Sequence, residues 1–317
     1  MPLLEIKNLQ LAFGRGPAAM RALDGVSLSI NPGETLCLVG ESGSGKSITA
    51  LSIARLLGPP AQYLGGEILV EGRDTLKMSA AELRQVRGRV VSYVFQDPSA
   101  SLNPVFRVGS QIKESLKLHR PEAATDAEVM RLLKTVGIPA PETRVRSYPH
   151  EMSGGMQQRV MIAMALASHP KLLIADEPTT ALDVTIQAQI IELLLGLKRQ
   201  FGMAILLITH NLGVVGDLAD RAAVMYAGRI VESGPAAQLL RAPLHPYTRA
   251  LIDSVPEIGA NVARLKTIPG TVPQLGAWPS GCRFHPRCSK AQPNCAQQDI
   301  DILEHRPLGW ARCLYPL

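Results

Sequence analysis

The chain lacks any long apolar run. Its longest, such as Ala204-Ile205-Leu206-Leu207-Ile208, fall far short of the ~20 residues that a membrane-spanning helix requires. The opening residues, Met1-Pro2-Leu3-Leu4-Glu5-Ile6-Lys7, have no basic stretch leading into an apolar one, so no secretory signal is expected and a cytosolic protein is. Internal repeats and low-complexity tracts are missing, which argues against a solenoid. Charged residues are scarce at 19%, against 46% hydrophobic, a balance that describes a globular chain and excludes a disordered one. Blocks of like charge are absent too: Lys and Arg are scattered, and the densest group is Arg84, Arg87 and Arg89. The net charge of +6 therefore points away from nucleic acid and is compatible with an anionic membrane surface. At 317 residues there is room for one large domain or two ordinary ones.

What is present is a glycine-rich joint. The apolar run Thr35-Leu36-Cys37-Leu38-Val39 leads into Gly40-Glu41-Ser42-Gly43-Ser44-Gly45-Lys46-Ser47, and a helical pattern follows as far as Gly58-Pro59-Pro60. Backbone N–H groups of such a strand–loop–helix turn inward around phosphates, aided by the positive end of the helix. Lys46 is placed to reach the β- and γ-phosphates and the Ser47 hydroxyl to ligate Mg²⁺, so a nucleoside triphosphate is the expected ligand.

Strand and helix patterns alternate around this joint. Leu4–Phe13, Arg21–Ile30 and Gly66–Gly72 read as strands, and residues 110–137 carry helical spacing that ends at Gly137. Ser153 opens a helical stretch, Lys171–Glu177 reads as a buried parallel strand ending in two acids, residues 184–200 as a helix stopped by Gly202, and Met203–Thr209 as another buried strand. The pattern predicts an α/β protein with a parallel core. The proline-rich region after about residue 235 reads as a separate appendage.

Several of these ends carry chemistry. Asp176 at a strand end can hold the Mg²⁺ shell opposite Ser47, and the adjacent Glu177 can orient or deprotonate a water. In isolation, two acids after a strand are equally a solvated loop. Gln96 follows the strand Val90–Val94 and His210 follows Thr209; alone, neither says much. Ser153-Gly154-Gly155 at a helix N-terminus is either a second anion site or an ordinary cap. Two such helix ends in one chain suggest a nucleotide sandwiched between two subunits.

Taken in order, these segments resemble the ATP-binding cassette (ABC) family. Walker A matches at Gly40–Ser47, the Q-loop at Gln96, the signature at Met152–Gln157, Walker B at Leu172–Asp176 with Glu177 following, the D-loop at Thr180-Ala181-Leu182-Asp183 and the switch histidine at His210. Phe95-Gln96-Asp97-Pro98, Asp176-Glu177-Pro178-Thr179-Thr180 and His245-Pro246-Tyr247-Thr248 look like the peptide-importer subgroup, and in particular the first of the two ATPase subunits of dipeptide permeases. Nickel importers share much of this pattern.

The resemblance implies a P-loop NTPase: a RecA-like parallel sheet core with an antiparallel β subdomain, an inserted helical subdomain near 97–165, a cassette over 1–235 and a cysteine-containing C-terminal extension over 236–317. It implies ATP and Mg²⁺ as cofactors, with Phe13 stacking on adenine and Gly40, Ser42, Gly43, Gly45, Lys46 and Ser47 around the phosphates. By the same resemblance Ser47, Gln96 and Asp176 serve the metal, Lys46, Gln96, Glu177 and His210 serve hydrolysis, and Ser153, Gly154, Gly155 and Asp183 act at the junction with a second ATPase subunit. The implied partners are that subunit, two transmembrane permease subunits and, indirectly, an extracytoplasmic solute-binding protein. The implied place is the cytoplasmic face of the inner membrane. Soluble cassette ATPases acting on DNA or ribosomes usually carry two cassettes or a long coiled-coil insertion, and neither is seen. Met156, Phe13 and Asn211 depart from the commonest family residues, Asn211 replacing an Asp.

Five cysteines are unevenly spread. Cys37 sits in an apolar strand as a small hydrophobe, and Cys282-x5-Cys288-x6-Cys295-x17-Cys313 crowd the C-terminal region. In a reducing cytosol such clustering favours metal over disulfide. The spacing lacks C-x-x-C knuckles; an iron–sulfur cluster takes four thiolates at looser spacing, while zinc and free thiols stay open. Some members of the resembling subgroup hold a [4Fe–4S] cluster here.

Overall fold

A computed structural model describes all residues except 17–18, 181, 256–266 and 306–308. The chain divides into two compact units. The first comprises Met1–Ile30, Glu34–Leu76 and Ile208–Leu317, and the second Asn31–Gly33 and Lys77–Leu207.

In the first unit, an antiparallel sheet runs in the order Met20–Ile30, Leu4–Phe13, Ala61–Val70, Arg73–Asp74. A second set of strands runs Leu303–His305, Gly309–Ala311, Arg229–Pro235, Arg221–Tyr226, Thr35–Val39. Thr35–Val39 lies parallel to Arg221–Tyr226, from Leu36 opposite Arg221 to Val39 opposite Val224. All five of its residues are buried, as expected of an apolar run covered on both faces. The helix after the glycine-rich loop ends at Ile53, short of the expected stop at Gly58. Arg55 turns left-handed at φ 49°, and the Leu56 N–H reaches back to the Leu51 carbonyl at 2.9 Å, closing the helix with the six-to-one bond of a Schellman turn.

The residues beyond Pro235 share this unit with the phosphate loop. Gly309–Ala311 pairs with Arg229–Pro235, Trp310 opposite Ser233, and the rings of Tyr226, Tyr247 and Phe284 meet at 4.7–5.3 Å. Proline content signals irregular backbone but does not report such packing.

In the second unit, Val91–Val94 and Leu172–Asp176 are parallel neighbours, and Ala204–Thr209 lies beside the latter. Three helices, Val108–His119, Asp126–Thr135 and Gly154–Leu166, pack together through Ile112, Leu116, Val129, Leu132, Leu133 and Val160, all buried. The first two are separate because Pro121 intervenes and the Thr125 side chain caps the second, accepting from Glu128 N–H at 3.2 Å. Val184–Phe201 stops where Gly202 takes φ 64°.

Candidate functional site

Thr35–Val39 delivers the chain to the phosphate loop, and the helix Lys46–Ile53 carries it away. At Gly40 a Cβ would stand 2.2 Å from the carbonyl oxygen of Met225, so only glycine lets the loop leave the strand so close to its neighbour. At Gly43, with φ +80°, a Cβ would meet nothing within 4 Å; that side of the loop is open space, as a phosphate cradle needs. Lys46 is buried, and its Nζ donates to the carbonyls of Gly40 at 2.8 Å and Glu41 at 2.9 Å, holding the ammonium within the loop. Gly45, with φ 110°, precedes the helix, while Ser42 and Ser47 are exposed. Phe13 ends the strand Leu4–Phe13 with its ring half-buried.

In the second unit, the register that sets Val94 opposite Ala175 carries Gln96 alongside Glu177 two residues on. Gln96 Nε2 donates to Glu177 Oε2 at 3.2 Å, and Thr180 Oγ1 donates to the same oxygen at 2.9 Å. Glu177 takes a left-handed φ of 45°, a conformation that costs a non-glycine residue about 1 kcal/mol and concentrates at functional sites. Asp176 ends its strand half-buried. The Ser153 side chain caps the helix Gly154–Leu166, accepting from Met156 N–H at 3.4 Å, and both Ser153 and Gly154 are exposed. Gly155 is required by the adjacent helix: a Cβ there would lie 2.8 Å from Ile186 Cγ2. Asp183 precedes Val184–Phe201 and is exposed; Ala181 of the same loop lies outside the described residues.

His210 is exposed at the tip of Ala204–Thr209. Asn211 Oδ1 accepts from Gly213 N–H at 2.9 Å, so it supplies the same capping acceptor that an Asp would.

The four C-terminal cysteines line one cavity with Phe284 and Ile300, and all are free thiols. Its ~20 Å³ has room for about one water. Burial, then the neighbouring thiols, pushes Cys313 up to about 11, and burial likewise raises Cys282 and Cys288. The four cysteines thus share one cavity lining. Among the described residues, however, no three His, Cys, Asp or Glu side chains stand in a geometry that would hold a metal ion.

Three residues escaped the sequence reading as site residues. Glu41 of the phosphate loop is gripped by Arg287, and its N–H donates to the Tyr247 hydroxyl at 2.9 Å. Tyr247 lies in the recognisable His245–Thr248 motif; nothing local marks Arg287, whose partner is 246 residues away.

Comparison with known proteins bears on this geometry. The profile of the ABC transporter family matches residues 23–180, and that of the oligopeptide/dipeptide transporter C-terminal region matches residues 231–295. The chain is 47% identical to the dipeptide transport ATP-binding protein DppD of Haemophilus influenzae, covering 100% of this chain and 96% of that one. This chain belongs to the ABC transporter ATP-binding family. A second relative of this cassette, the putative peptide import ATP-binding protein BAB2_1052 of Brucella abortus, is 49% identical over 93% of this chain and 90% of its own. Among solved structures, the dimeric post-hydrolysis state of the ATP-binding cassette MJ0796 bound to ADP and Pi superposes with TM-score 0.65 at 28% identity, over 74% of this chain and 98% of that one. Another solved structure, cbiO1 from Clostridium perfringens, part of the ABC transporter complex cbiONQ, superposes with TM-score 0.64 at 26% identity, over 76% of this chain and 91% of that one. The cassette is an ABC-type ATPase with the α/β P-loop NTPase fold.

Proposed function

We propose that this ATPase energises an importer of dipeptides or oligopeptides. The observation that carries the reading is the pairing, in one chain, of a cassette with the oligopeptide/dipeptide C-terminal region. The names of relatives 47–50% identical agree with it. The cassette occupies 1–235 and the extension 236–317. No helix among the described residues is long and apolar enough to cross a membrane, so translocation falls to partners: two permease subunits, fed by an extracytoplasmic binding protein, with this chain at the cytoplasmic face of the inner membrane.

In this reading the loop Gly40–Ser47 wraps the phosphates and Lys46 leaves its loop carbonyls for the β- and γ-phosphates. Ser47, Asp176 and Gln96 offer the hard oxygen ligands that Mg²⁺ prefers, and the ion, when bound, neutralises charge on the phosphates. Glu177, aimed by Gln96 and Thr180, accepts a proton from the attacking water, His210 contacts the γ-phosphate, and Phe13 stacks on adenine. The Ser153–Gly155 tip, exposed at Ser153 and Gly154, and the exposed Asp183 serve the nucleotide of a second ATPase subunit, closed head to tail on this one.

The four thiols line one cavity and are the soft donors an iron–sulfur cluster takes; although they do not stand in metal-holding geometry here, we assign them to a [4Fe–4S] cluster, with zinc the competing occupant. Burial raises the thiols of Cys282, Cys288 and Cys313, so loading would release protons. Anaerobic purification should give a brown protein containing iron and sulfide, bleached by Cys288→Ser; a colourless preparation containing zinc overturns the assignment.

The functional test is reconstitution with the neighbouring permease subunits and binding protein in liposomes. Peptides should stimulate ATP hydrolysis and enter the vesicles. Stimulation by nickel alone, or by DNA without membrane subunits, would reject the peptide reading.

A further inference from the structure

Glu41 is an electrostatic anomaly. It places a carboxylate inside a loop built to surround a triphosphate, where like charge should repel the ligand. The structure holds this residue at three points. Its N–H donates to the Tyr247 hydroxyl at 2.9 Å, its carbonyl accepts from Lys46 Nζ at 2.9 Å, and its carboxylate takes a two-pronged bond from Arg287 at 2.8 and 2.9 Å. Two of the three anchors, Tyr247 and Arg287, come from the C-terminal extension.

Arg287 is itself built in. Its Nε donates to the Pro269 carbonyl at 2.7 Å, and its guanidinium lies 5.7 Å from the Tyr226 ring centre and 5.9 Å from that of Phe284. Its side chain is only 6% exposed, so this is not a solvated surface pair of negligible worth. A forked guanidinium fixes both the direction and the distance of the carboxylate, which a lysine cannot do. The fork thus does two things at once: it cancels the negative charge next to the phosphate cradle, and it fixes the backbone at the loop's entrance between Gly40 and Ser42.

We infer that Arg287 is a positioning residue for the nucleotide site, through which the C-terminal extension sets the shape and charge of the phosphate loop and so the affinity for ATP. This rests on the reading of Gly40–Ser47 as the ATP site. The extension then acts on the ATPase directly, whatever its cysteines hold.

The test uses the full chain assembled with its permease partners, and reads KM for ATP separately from kcat. Arg287→Met leaves the Glu41 carboxylate unpaired beside the phosphates and should raise KM about tenfold or more, with kcat changed less than about twofold. Glu41→Gln combined with Arg287→Met removes both charges and should recover most of that loss. An unchanged KM in Arg287→Met, or a double variant as impaired as the single one, overturns the inference, because a merely structural role would not be rescued by removing the second charge. Should Arg287→Met fail to fold, Arg287→Lys decides: a KM several-fold higher at constant kcat supports the fork, and a wild-type KM overturns it. Lys46→Ala is run in parallel. If it binds ATP as tightly as wild type, the ATP-site reading itself has failed and the inference falls with it; if it does not, a null result at Arg287 counts against the inference alone.

Discussion

Gln96 and Glu177 share a hydrogen bond of 3.2 Å across two parallel strands, and the Thr180 hydroxyl approaches the same carboxylate oxygen at 2.9 Å. Both donors are neutral groups, and between them they fix the direction in which the carboxylate points. Glu177→Gln keeps the shape and removes the capacity to accept a proton. It should bind ATP with near wild-type affinity and hydrolyse it at least about a hundredfold more slowly, measured by phosphate release against nucleotide binding. Hydrolysis close to normal would take Glu177 out of the role of base.

Gly40 and Gly43 should respond differently to alanine. The Gly40→Ala methyl would collide with a backbone oxygen that cannot rotate away, so the loop and the strand Arg221–Tyr226 must separate, costing about 2 kcal/mol or more. The Gly43→Ala methyl enters open space and costs only the left-handed strain, about 1 kcal/mol, but it occupies the cradle. Thermal unfolding should show the larger shift for Gly40→Ala, whereas nucleotide titration of Gly43→Ala should show weakened binding in a protein that remains folded. Equal thermal shifts would contradict the contact geometry.

Asp24 stands between Arg229, at 2.7 Å, and Arg283, which it also contacts directly, while Arg283 stacks on Trp278 at 3.6 Å. Burial pushes the Asp24 carboxyl up, and the two arginines more than offset it, holding it below the usual range. Asp24→Asn would leave Arg283, whose side chain is 9% exposed, without this anion, at a cost of about 3 kcal/mol. A urea midpoint within error of wild type would show the network to be dispensable.

Cys37, wholly buried in Thr35–Val39, has its thiol pushed up to about 12, first by burial and then by the Asp220 charge. The unfolded chain ionises this thiol near 9.0, so the folded state binds the extra proton between roughly pH 9 and 12. Stability contributed by the neutral thiol is full below that window and is lost as pH rises through it, by up to about 1.4 kcal/mol per pH unit. Cys37→Ala should flatten that part of the alkaline unfolding profile, and in the native protein Cys37 should resist thiol reagents at neutral pH. Rapid labelling at Cys37 under native conditions would contradict its burial.

The parts legible in the chain were those whose physics is local. A glycine-rich turn, an apolar run too short for anything but a buried strand, and a serine before two glycines each carry their reason within a few residues. Thus the strand Leu172–Asp176, the helix Val184–Phe201 and its stop at Gly202 fall where the pattern puts them. The early end of the helix Lys46–Ile53 was not legible, because Arg55 adopts a left-handed turn that its residue type disfavours.

By itself, the sequence determined the phosphate loop, the acidic strand end and the capped glycine tip, since each depends on residue type at fixed short spacing. Only the tertiary structure decided that Gln96 would aim Glu177, that four cysteines separated by irregular gaps would face one cavity, and that Arg287 would hold Glu41. Those pairings depend on strand register and on loop closure over long stretches of chain, and no local preference encodes them.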